Sequence, residues 1–248
     1  MSECMSECLA SQATLATQLN HRSIREFTAE AVSEEARLAL YAAAASGATS
    51  NFLQSTHIIR VTDVNKRQQL RQICAGQAYV ELAPEFWVFV IDFARHRALV
   101  PDIQADWLEA SIMGSIDAGI MAQNVLLAAE SMGLGGVYIG ALRNDVAAAA
   151  EVLGLPAETL PLFGMCLGHP AQVPVVKPKL PAALFVSENT YQPQDKQAVA
   201  AYEQQVQAYY AERGSAAATW EDAIRKTLCK PVRPHMLPFA QQQGLIKR

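Results

Sequence analysis

The chain lacks the cysteine and histidine patterns that mark metal and redox sites. Its five cysteines are an odd number and none forms a Cys-x-x-Cys pair, which argues against a zinc site or a thioredoxin-like motif. Reduced thiols, as in a cytosolic protein, are the expected state. Four histidines have no metal-ligand spacing, so no metal is assigned: His57, His96, His169 and His235.

Motifs of the common nucleotide-binding and hydrolytic sites are also missing. There is no P-loop, no His-Glu-x-x-His, no Gly-x-Ser-x-Gly, and no Gly-x-Gly-x-x-Gly that opens a helix after a strand. No Ser/His/Asp or Cys/His nucleophile stands out, and Cys166 inside an apolar run is typical of a small core residue. The pattern therefore indicates no side-chain nucleophile.

Charge is sparse, at 18% of the 248 residues, against 51% apolar residues. The apolar residues are spread along the whole chain, which predicts a sizeable core and no global disorder. The net charge of −4 and the pI of about 5.8 argue against nucleic acid or an anionic membrane as the main partner.

The beginning of the chain repeats Met-Ser-Glu-Cys and has no apolar segment of the signal-peptide kind. We expect residues 1–18 to form a flexible tail and residues 19–248 to form a single domain. A second check concerns the apolar segment 112–132. It contains four polar residues that are costly in lipid, so a buried or interface helix fits better than a membrane span: Asp117, Gln123, Asn124 and Glu130.

Apolar periodicity and turn residues predict a mixture of strands and helices. Strands are expected over 56–61, 86–92, 137–140 and 162–168. Helices are expected over 34–46, 66–74, 106–132, 144–154, 195–213 and 219–228, with Ser33 and Asn144 as N-caps. Four prolines within residues 170–181 predict an extended arm, so the plan is α+β or α/β with a C-terminal extension from about residue 170.

Two basic clusters have the chemistry of anion binding. His21, Arg22 and Arg25 lie within five residues and Ser23 adds a hydroxyl, which together suit a phosphate. In Lys177-Pro178-Lys179 the proline keeps the chain extended, so both lysines project to the same side. For each cluster a solvated basic turn is the simpler interpretation.

A glycine-rich segment, 135–140 (GGVYIG), joins the end of a helix to a strand. Glycine lets backbone approach a flat ligand closely, although an ordinary turn explains it equally well. The two basic clusters and this segment are consistent with one bound anionic cofactor, whose identity composition does not give.

Several segments carry a resemblance to a known family. They are HRSIREFT (21–28), FLQ (52–54), GGVYIG (135–140), LPLFGMCLGHP (160–170), KPKLP (177–181), ENTYQP (188–193), YYAERG (209–214) and TW (219–220). In this order and spacing they resemble the NADPH-dependent nitroreductase and flavin reductase family, in its larger subgroup. The resemblance runs from about Leu19 to the C-terminus.

The resemblance implies an α+β nitroreductase fold with a central mixed sheet flanked by helices and a C-terminal excursion. It also implies an intertwined cytoplasmic homodimer that binds one FMN per subunit at the subunit interface. The apolar helix over 112–132 is then a candidate for the dimer core.

The resemblance also implies site residues. Those for FMN are His21, Arg22, Ser23, Arg25, Ser50, Gln77, Tyr79, Tyr138, Ile139, Gly140, Lys177 and Lys179. No side chain is assigned as catalytic, and Arg25 and Lys177 are expected to stabilise the reduced flavin electrostatically. Those for nucleotide and acceptor are Asn51, Phe52, Arg213, Lys230, Arg233 and His235, where Arg213 meets the NADPH phosphate. For Phe52 a plain core position is an equal alternative.

The implied reaction is a ping-pong hydride transfer from NADPH, or NADH, through FMN to nitroaromatics and quinones in two-electron steps. A flavin reductase that supplies free reduced FMN is the nearest alternative, and a non-catalytic flavin-binding protein is a further one.

Four departures from the family pattern qualify these expectations. Ala141 replaces a second glycine and would crowd the flavin slightly, and Lys179 replaces a common arginine. The loop 215–218 (SAAA) is short and lacks arginines, which makes a preference for NADPH over NADH uncertain. His235 replaces an aromatic residue, which would alter the range of acceptors.

Overall fold

The computed structural model describes residues 12–214 and 218–248. They form two compact units. The first comprises the described residues up to Pro174 together with Arg233–Arg248, and the second lies within Val175–Val232. The second unit begins close to the predicted start of the extension, but the return of the chain to the first unit at Arg233 was not part of that prediction.

The first unit is built on a four-stranded sheet. Its strands are β1 (Thr56–Arg60), β2 (Glu85–Asp92), β3 (Gly135–Ile139) and β4 (Thr159–Gly168), in the order β1-β2-β4-β3. All three pairings are antiparallel. Parallel pairing in the described part of the chain is limited to an isolated bridge between Ser23 and Gly136, so the predicted mixed sheet is mixed only there. The predicted α+β class is confirmed.

Eight helices of the described residues belong to the first unit. They are α1 (Ala13–Leu19), α2 (Glu34–Ala45), α3 (Val64–Ile73), α4 (Tyr79–Leu82), α5 (Ala94–Leu99), α6 (Leu108–Ser131), α7 (Val146–Leu153) and, after the second unit, α10 (Met236–Gln242). Helix α1 covers part of the segment expected to be a tail. The predicted cap Ser33 accepts the Ala36 N–H at 3.1 Å. The cap at Asn144 is wrong, because the carboxylate of Asp145 accepts the Ala148 N–H instead.

Strand β2 runs through the centre of the core, because its apolar residues fill both faces of the sheet. Phe86 and Val88 belong to a cluster that includes residues of α3 and α7. Trp87 and Phe89 belong to a second cluster with residues of α2 and α6. These four side chains are fully buried.

Helix α6 has apolar residues on two faces. One face is buried and includes Ala118, Ala122 and Val125, while a stripe at every fourth position is exposed to solvent: Leu108, Ile112, Ile116 and Ile120. By length and composition alone this helix is apolar enough to cross a membrane. It packs instead against the sheet and α2, as expected for a core helix.

The second unit is small. It contains α8 (Lys196–Glu212) and α9 (Trp220–Leu228), preceded by irregular chain with one 3₁₀ turn, Ala182–Leu184. Among the described residues of this unit, the apolar core cluster has three buried members, Leu184, Tyr202 and Val206. Residues 171–180 alternate between exposed and partly buried positions, with Lys177 and Lys179 both exposed, as the extended arm predicts.

Candidate functional site

The N-terminal basic segment lies beside β3 at the edge of the sheet. Ser23 pairs with Gly136, and the Ile24 N–H donates to the Gly136 carbonyl at 3.0 Å. His21 Nδ1 lies 2.6 Å from a carboxylate oxygen of Glu130, near the end of α6. Backbone pairing and this contact fix the predicted anion-binding residues on a rigid scaffold.

The arginines of this segment have no acidic partner. In the ranges that the structure describes, no carboxylate lies within 4.0 Å of Arg22 or Arg25. The Nε of Arg22 is buried and makes no hydrogen bond. Because a buried donor without a partner is costly, this guanidinium is suited to an anion supplied by a ligand.

A turn carrying Gln77 and Tyr79 is held from behind by a buried arginine. Arg67 donates from Nε to the Val80 carbonyl at 3.0 Å and from Nη2 to the Ala83 carbonyl at 2.5 Å. The Oε1 of Gln77 is buried and accepts no hydrogen bond, so it can receive a ligand donor. Burial raises the pKa of Tyr79, and the charge of Arg25 opposes this shift, which places Arg25 near the phenol.

The glycines of segment 135–140 have different roles. A side chain on Gly135 would meet Ile24 at 2.5 Å, and one on Gly136 would meet Leu126 and Leu167 at 2.8 Å. These two glycines are therefore required for core packing. Gly140 has open space beside it, because a Cβ at this position would have only the Arg143 guanidinium within 4 Å.

Tyr138 and Ile139 lie on β3, which is the edge strand of the sheet and pairs with β4 on one side. Gly140 follows β3 and begins a 3₁₀ helix, Gly140–Asp145. Burial raises the pKa of Tyr138 to about 12, so its phenol stays protonated at neutral pH and donates to Gln123 at 3.3 Å. At Tyr138 the backbone, rather than the phenol, is therefore the group available to a ligand. The methyl of Ala141 packs against the core, contrary to the expected crowding of a ligand.

The loop from Ser50 to Gln54 is anchored to α6. Asp117, 1% exposed, accepts from the Ser50 N–H at 3.0 and 3.1 Å and from its hydroxyl at 2.8 Å. The Ser50 hydroxyl proton is therefore directed into the protein. Asn51, Phe52 and Gln54 have positive φ angles, and Phe52 is 80% exposed, which excludes a core position for its side chain.

Two groups of predicted site residues lie apart in one chain. The loop is tied to α6 at Asp117 and His21 is tied to it at Glu130, thirteen residues further along. At a rise of 1.5 Å per residue this separation is about 20 Å. A single chain therefore does not bring Ser50, Asn51 and Phe52 next to His21.

In the second unit, tyrosines position the predicted cations. Lys177 Nζ donates to the Tyr210 hydroxyl at 2.9 Å and lies 5.2 Å from its ring centre. Arg213 donates to the Tyr209 hydroxyl at 3.0 Å and stacks over that ring at 5.5 Å. Lys179 and Lys230 are exposed. Residues 215–217 of the predicted short loop lie outside the described residues.

Sequence reasoning missed Arg143 and Asn144 as site residues, which follow the open Gly140. Arg233 donates from Nε and Nη2 to Oδ1 of Asn144 at 3.2 and 3.0 Å, and Nε2 of His235 lies 2.9 Å from the Arg143 carbonyl oxygen. Burial, and then the charge of Arg233, lower the pKa of Arg143. The predicted residues Arg233 and His235 thus meet on Arg143 and Asn144. The sequence signal for Arg143 and Asn144 was their position shortly after GGVYIG, behind Ala141 and Leu142.

The described thiols are unreactive or isolated. Burial raises the pKa of Cys74 to about 12 and raises that of Cys166 further, so the prediction of Cys166 as a core residue is confirmed. Cys229 is exposed and unpaired, and Cys4 and Cys8 lie outside the described residues. No group of three or more His, Cys, Asp or Glu residues suited to a metal occurs in the part of the chain that the structure describes.

Fold and site together define an α+β protein whose unpartnered basic segment at the edge of the sheet is suited to an anionic ligand. Comparison with family models gives the class of protein. Residues 19–169 match the model described as the nitroreductase family, and residues 177–248 match the model for the nitroreductase family, C-terminal domain. The chain belongs to the nitroreductase family. The two matched ranges also follow the division of the chain near Val175.

Close relatives extend over almost the whole chain. It is 51% identical to a Vibrio harveyi protein named NADPH-flavin oxidoreductase, over 95% of this chain and 99% of the relative. It is 48% identical to a Salmonella typhimurium protein named oxygen-insensitive NADPH nitroreductase, with the same two coverages. The solved NADPH:FMN oxidoreductase from Vibrio harveyi complexed with NAD+ superposes with a TM-score of 0.91 at 50% identity, covering 96% of this chain and all of that one.

Proposed function

We propose that this protein is an FMN-containing, NADPH-dependent oxidoreductase that reduces nitroaromatics and quinones by two electrons. Membership of the nitroreductase family and the names of close relatives support an NADPH-dependent flavin oxidoreductase. The observation that carries FMN as the bound form is the buried, unpartnered Nε of Arg22, because a flavin without a phosphate offers that segment no anion.

The chain's own residues fit this cofactor. Arg22 and Ser23 would hold its phosphate, and Arg25 would place positive charge where the reduced ring system becomes anionic. The family resemblance gives Lys177 the same role. The unused Oε1 of Gln77 would accept a hydrogen bond from a ring N–H, and the open space at Gly140, directly after β3, would admit the ring. When bound, FMN supplies the hydride chemistry, taking electrons from NADPH or NADH and passing them to the acceptor.

The partner in this proposal is a second copy of the chain. The exposed apolar stripe of α6, defined by Leu108, Ile112, Ile116 and Ile120, has the character of an interface rather than a solvated surface. The separation of about 20 Å between Ser50 and His21 along α6 has the same explanation. The loop from Ser50 to Gln54 of one subunit serves the flavin held by the other.

Mixed dimers test this shared site. Asp117→Ala releases the Ser50 loop and Arg22→Ala removes the phosphate anchor, so each homodimer is expected to lose most of its FMN. If each site uses both subunits, a dimer of one variant with the other has one intact site and regains about one FMN per dimer. If each site uses one subunit, the mixed dimer stays empty and the shared-site proposal is wrong. Melting temperatures of both homodimers control for loss of fold.

Cofactor titration tests the function itself. The purified protein is expected to show a flavin spectrum and to oxidise NADPH with a nitrofuran or quinone. Arg22→Ala should weaken FMN about 10- to 100-fold, since a charge-assisted hydrogen bond is lost. Arg225→Ala is the matched control, because Arg225 is exposed and, among the described residues, its ion pair is with Glu221. A colourless protein that takes up no FMN and oxidises no NADPH would falsify the proposal.

A flavin reductase that releases reduced FMN is the second candidate. It is favoured by one observation, the 51% identity to a relative named NADPH-flavin oxidoreductase. Steady-state kinetics separate the two functions, because a flavin reductase should have a much higher kcat/KM for free FMN than for a quinone or nitrofuran. A non-catalytic flavin-binding protein would leave bound FMN oxidised when NADPH is added anaerobically.

We place the enzyme in the cytoplasm. The support is that Cys74, Cys166 and Cys229 are free thiols, which are typical of a reducing compartment.

A further inference from the structure

The loop from Ser50 to Gln54 has a second anchor, on helix α5. Nε2 of His96 lies 2.7 Å from the carbonyl oxygen of Leu53, and Arg95 donates from Nη2 to the Gln54 carbonyl at 2.6 Å. The first anchor, on α6, holds the beginning of the loop. The loop is therefore fixed at both ends by side chains that are distant in sequence.

The ring of His96 contacts two carbonyl oxygens. Its Nδ1 lies 3.0 Å from the carbonyl oxygen of Asp92, and its Nε2 lies 2.7 Å from that of Leu53. A carbonyl oxygen only accepts hydrogen bonds, so both contacts are hydrogen bonds only when both ring nitrogens carry a proton. In a neutral ring one nitrogen would direct its lone pair at a carbonyl oxygen. The geometry therefore fits the imidazolium form of His96.

The surroundings of the ring also suit a positive charge. His96 lies in the last turn of α5, where the free carbonyl groups of a helix favour cations. The ring of Phe93 contacts the imidazole edge-on, with the ring centres 5.8 Å apart, and limits its rotation. Among the described residues no carboxylate lies within 4.0 Å of His96, so the two carbonyl groups hold its charge without an ion pair.

Several charged or titratable groups lie around this anchor on the neighbouring elements: His57, Asp92, Arg95, Arg97, Asp117 and Glu158. Most of them have partners of their own. Asp92 accepts the Arg95 N–H at 3.0 Å, and its other carboxylate oxygen lies 3.7 Å from Nδ1 of His57. Arg97 pairs with Glu158 at 2.5 Å. His96 is therefore the group whose titration acts directly on the Leu53 carbonyl.

The loop has a strained backbone and space in which to move. Asn51, Phe52 and Gln54 have φ angles of 49°, 59° and 53°, in the left-handed region that costs energy for residues other than glycine. Such conformations persist only where surrounding contacts hold them. A cavity of about 670 Å³ beside the loop is lined in part by Leu53 and His96. Loss of the second anchor should therefore let the loop relax.

We propose that His96 is a positioning residue that holds the loop from Ser50 to Gln54 in place only while both of its ring nitrogens are protonated. When the ring loses a proton as the pH rises, the Leu53 contact is lost and the loop leaves its position. A contact made by the protonated form stabilises the loop at low pH and is lost at high pH. The inference rests on the proposed function, in which this loop serves the flavin of the partner subunit, and adds pH control of that site.

Two substitutions of His96 separate the roles of its ring nitrogens. The amide nitrogen of glutamine takes the place of Nε2, so His96→Gln keeps a donor for the Leu53 carbonyl that does not titrate. The amide nitrogen of asparagine takes the place of Nδ1, so His96→Asn lacks the Leu53 contact at every pH. His57→Gln is the matched control, because it removes an exposed histidine that lies beside Asp92.

Hydrogen exchange of the full-length protein, relative to the unfolded chain at each pH, provides a readout without turnover. In the unchanged chain and in His57→Gln, protection of residues 50–54 should fall about tenfold between about pH 5.5 and about pH 8, the effect of one charge-assisted hydrogen bond. Protection should stay high in His96→Gln and low in His96→Asn. A pH response that persists in His96→Gln overturns the proposal, and this result decides the question even if His96→Asn does not fold.

FMN titration connects the loop to the proposed site. The ratio of the FMN Kd at the higher pH to that at the lower pH should be about tenfold larger for the unchanged chain than for His96→Gln. Comparing the two ratios cancels the titration of the flavin phosphate itself. Equal ratios with an intact pH response of the loop would leave the His96 anchor standing and overturn the shared flavin site. Equal ratios without a loop response would overturn the His96 proposal alone.

Discussion

The two units support their cationic side chains in different ways. In the first unit Arg22 and Arg25 flank a backbone bridge from Ser23 to β3, at the edge of a sheet in which β2 is buried at all residues but Asp92. In the second unit Lys177 and Arg213 each contact a single tyrosine. The difference indicates that the first unit is the rigid half of the chain and the second unit is its adaptable half. In the proposed function the rigid half binds the cofactor, whereas Arg213 of the adaptable half meets a nucleotide that enters and leaves.

The energetic basis of this difference is the size of the cores. Phe86 and Trp87 belong to clusters of 13 and 12 buried residues. The second unit has a cluster of three. Regions with few buried apolar contacts open locally at lower free energy than the global unfolding of a protein. We therefore expect the second unit to open separately.

The largest predicted effect breaks the rigid half. Phe86→Ala should lower the free energy of unfolding by about 3–5 kcal/mol, because it leaves a cavity under the sheet. Gly164 lies against the Phe86 ring, and a Cβ at this position would be 2.5 Å from the ring. Because Gly164 has no side chain, it cannot fill the cavity that the substitution leaves. Denaturant unfolding measures the change. A loss below about 1 kcal/mol would contradict the assignment of β2 as the central support.

The corresponding change in the adaptable half should have a local effect. Val206→Ala removes two buried methylene equivalents and should destabilise the second unit by about 1.5 kcal/mol. Hydrogen exchange should accelerate in α8 and α9 and remain unchanged in β2. Acceleration of the same size in β2 would show that the two units unfold together, and the comparison would fail.

The sequence predicted the elements whose signals are local. The apolar run of β2 and the cap Ser33 produced correct elements, because burial and capping depend on neighbouring residues. The C-terminal stop of α7 at Gly154, with a φ of 67°, is of the same kind. The cap at Asn144 failed because Asn144 has a competing partner in Arg233, 89 residues away, and Asp145 takes the helix end.

The candidate site was predictable in part. The resemblance located the basic segment and the loop at 50–54, but it could not give the contact that turns the Ser50 hydroxyl towards Asp117. Nor did composition separate Gly135 and Gly136, which make room for core side chains, from the open Gly140. Both distinctions depend on residues that meet only after folding.

A smaller effect concerns the nucleotide and sharpens the role of the adaptable half. Arg213→Ala should raise KM for NADPH about tenfold and leave KM for NADH nearly unchanged, because one phosphate contact is lost. Tyr209→Phe provides a graded comparison, since it removes the hydroxyl that receives the Arg213 N–H but keeps the ring beneath it. Equal changes for both nucleotides would mean that Arg213 does not contact the 2′-phosphate.

The smallest predicted effect is a pH response of α9. Hydrogen bonds from the Thr219 backbone N–H and hydroxyl hold the pKa of Asp222 below its usual value of 3.8. A depressed carboxyl pKa stabilises the folded state above that usual value, and the stabilisation is lost as the pH falls through the lower folded value. The protection of amides at the start of α9, measured as the exchange rate relative to the unfolded chain at the same pH, should therefore fall below about pH 4. Asp222→Asn, which cannot be protonated in this range, should show a flatter response. In the first unit, Arg248 likewise lowers the pKa of Asp106. The sheet amides should nevertheless stay protected at that pH, because the first unit has a large buried core that persists when the Asp106 contact is lost. Sheet exchange that rises in parallel with α9 would contradict the separation of a rigid half from an adaptable one.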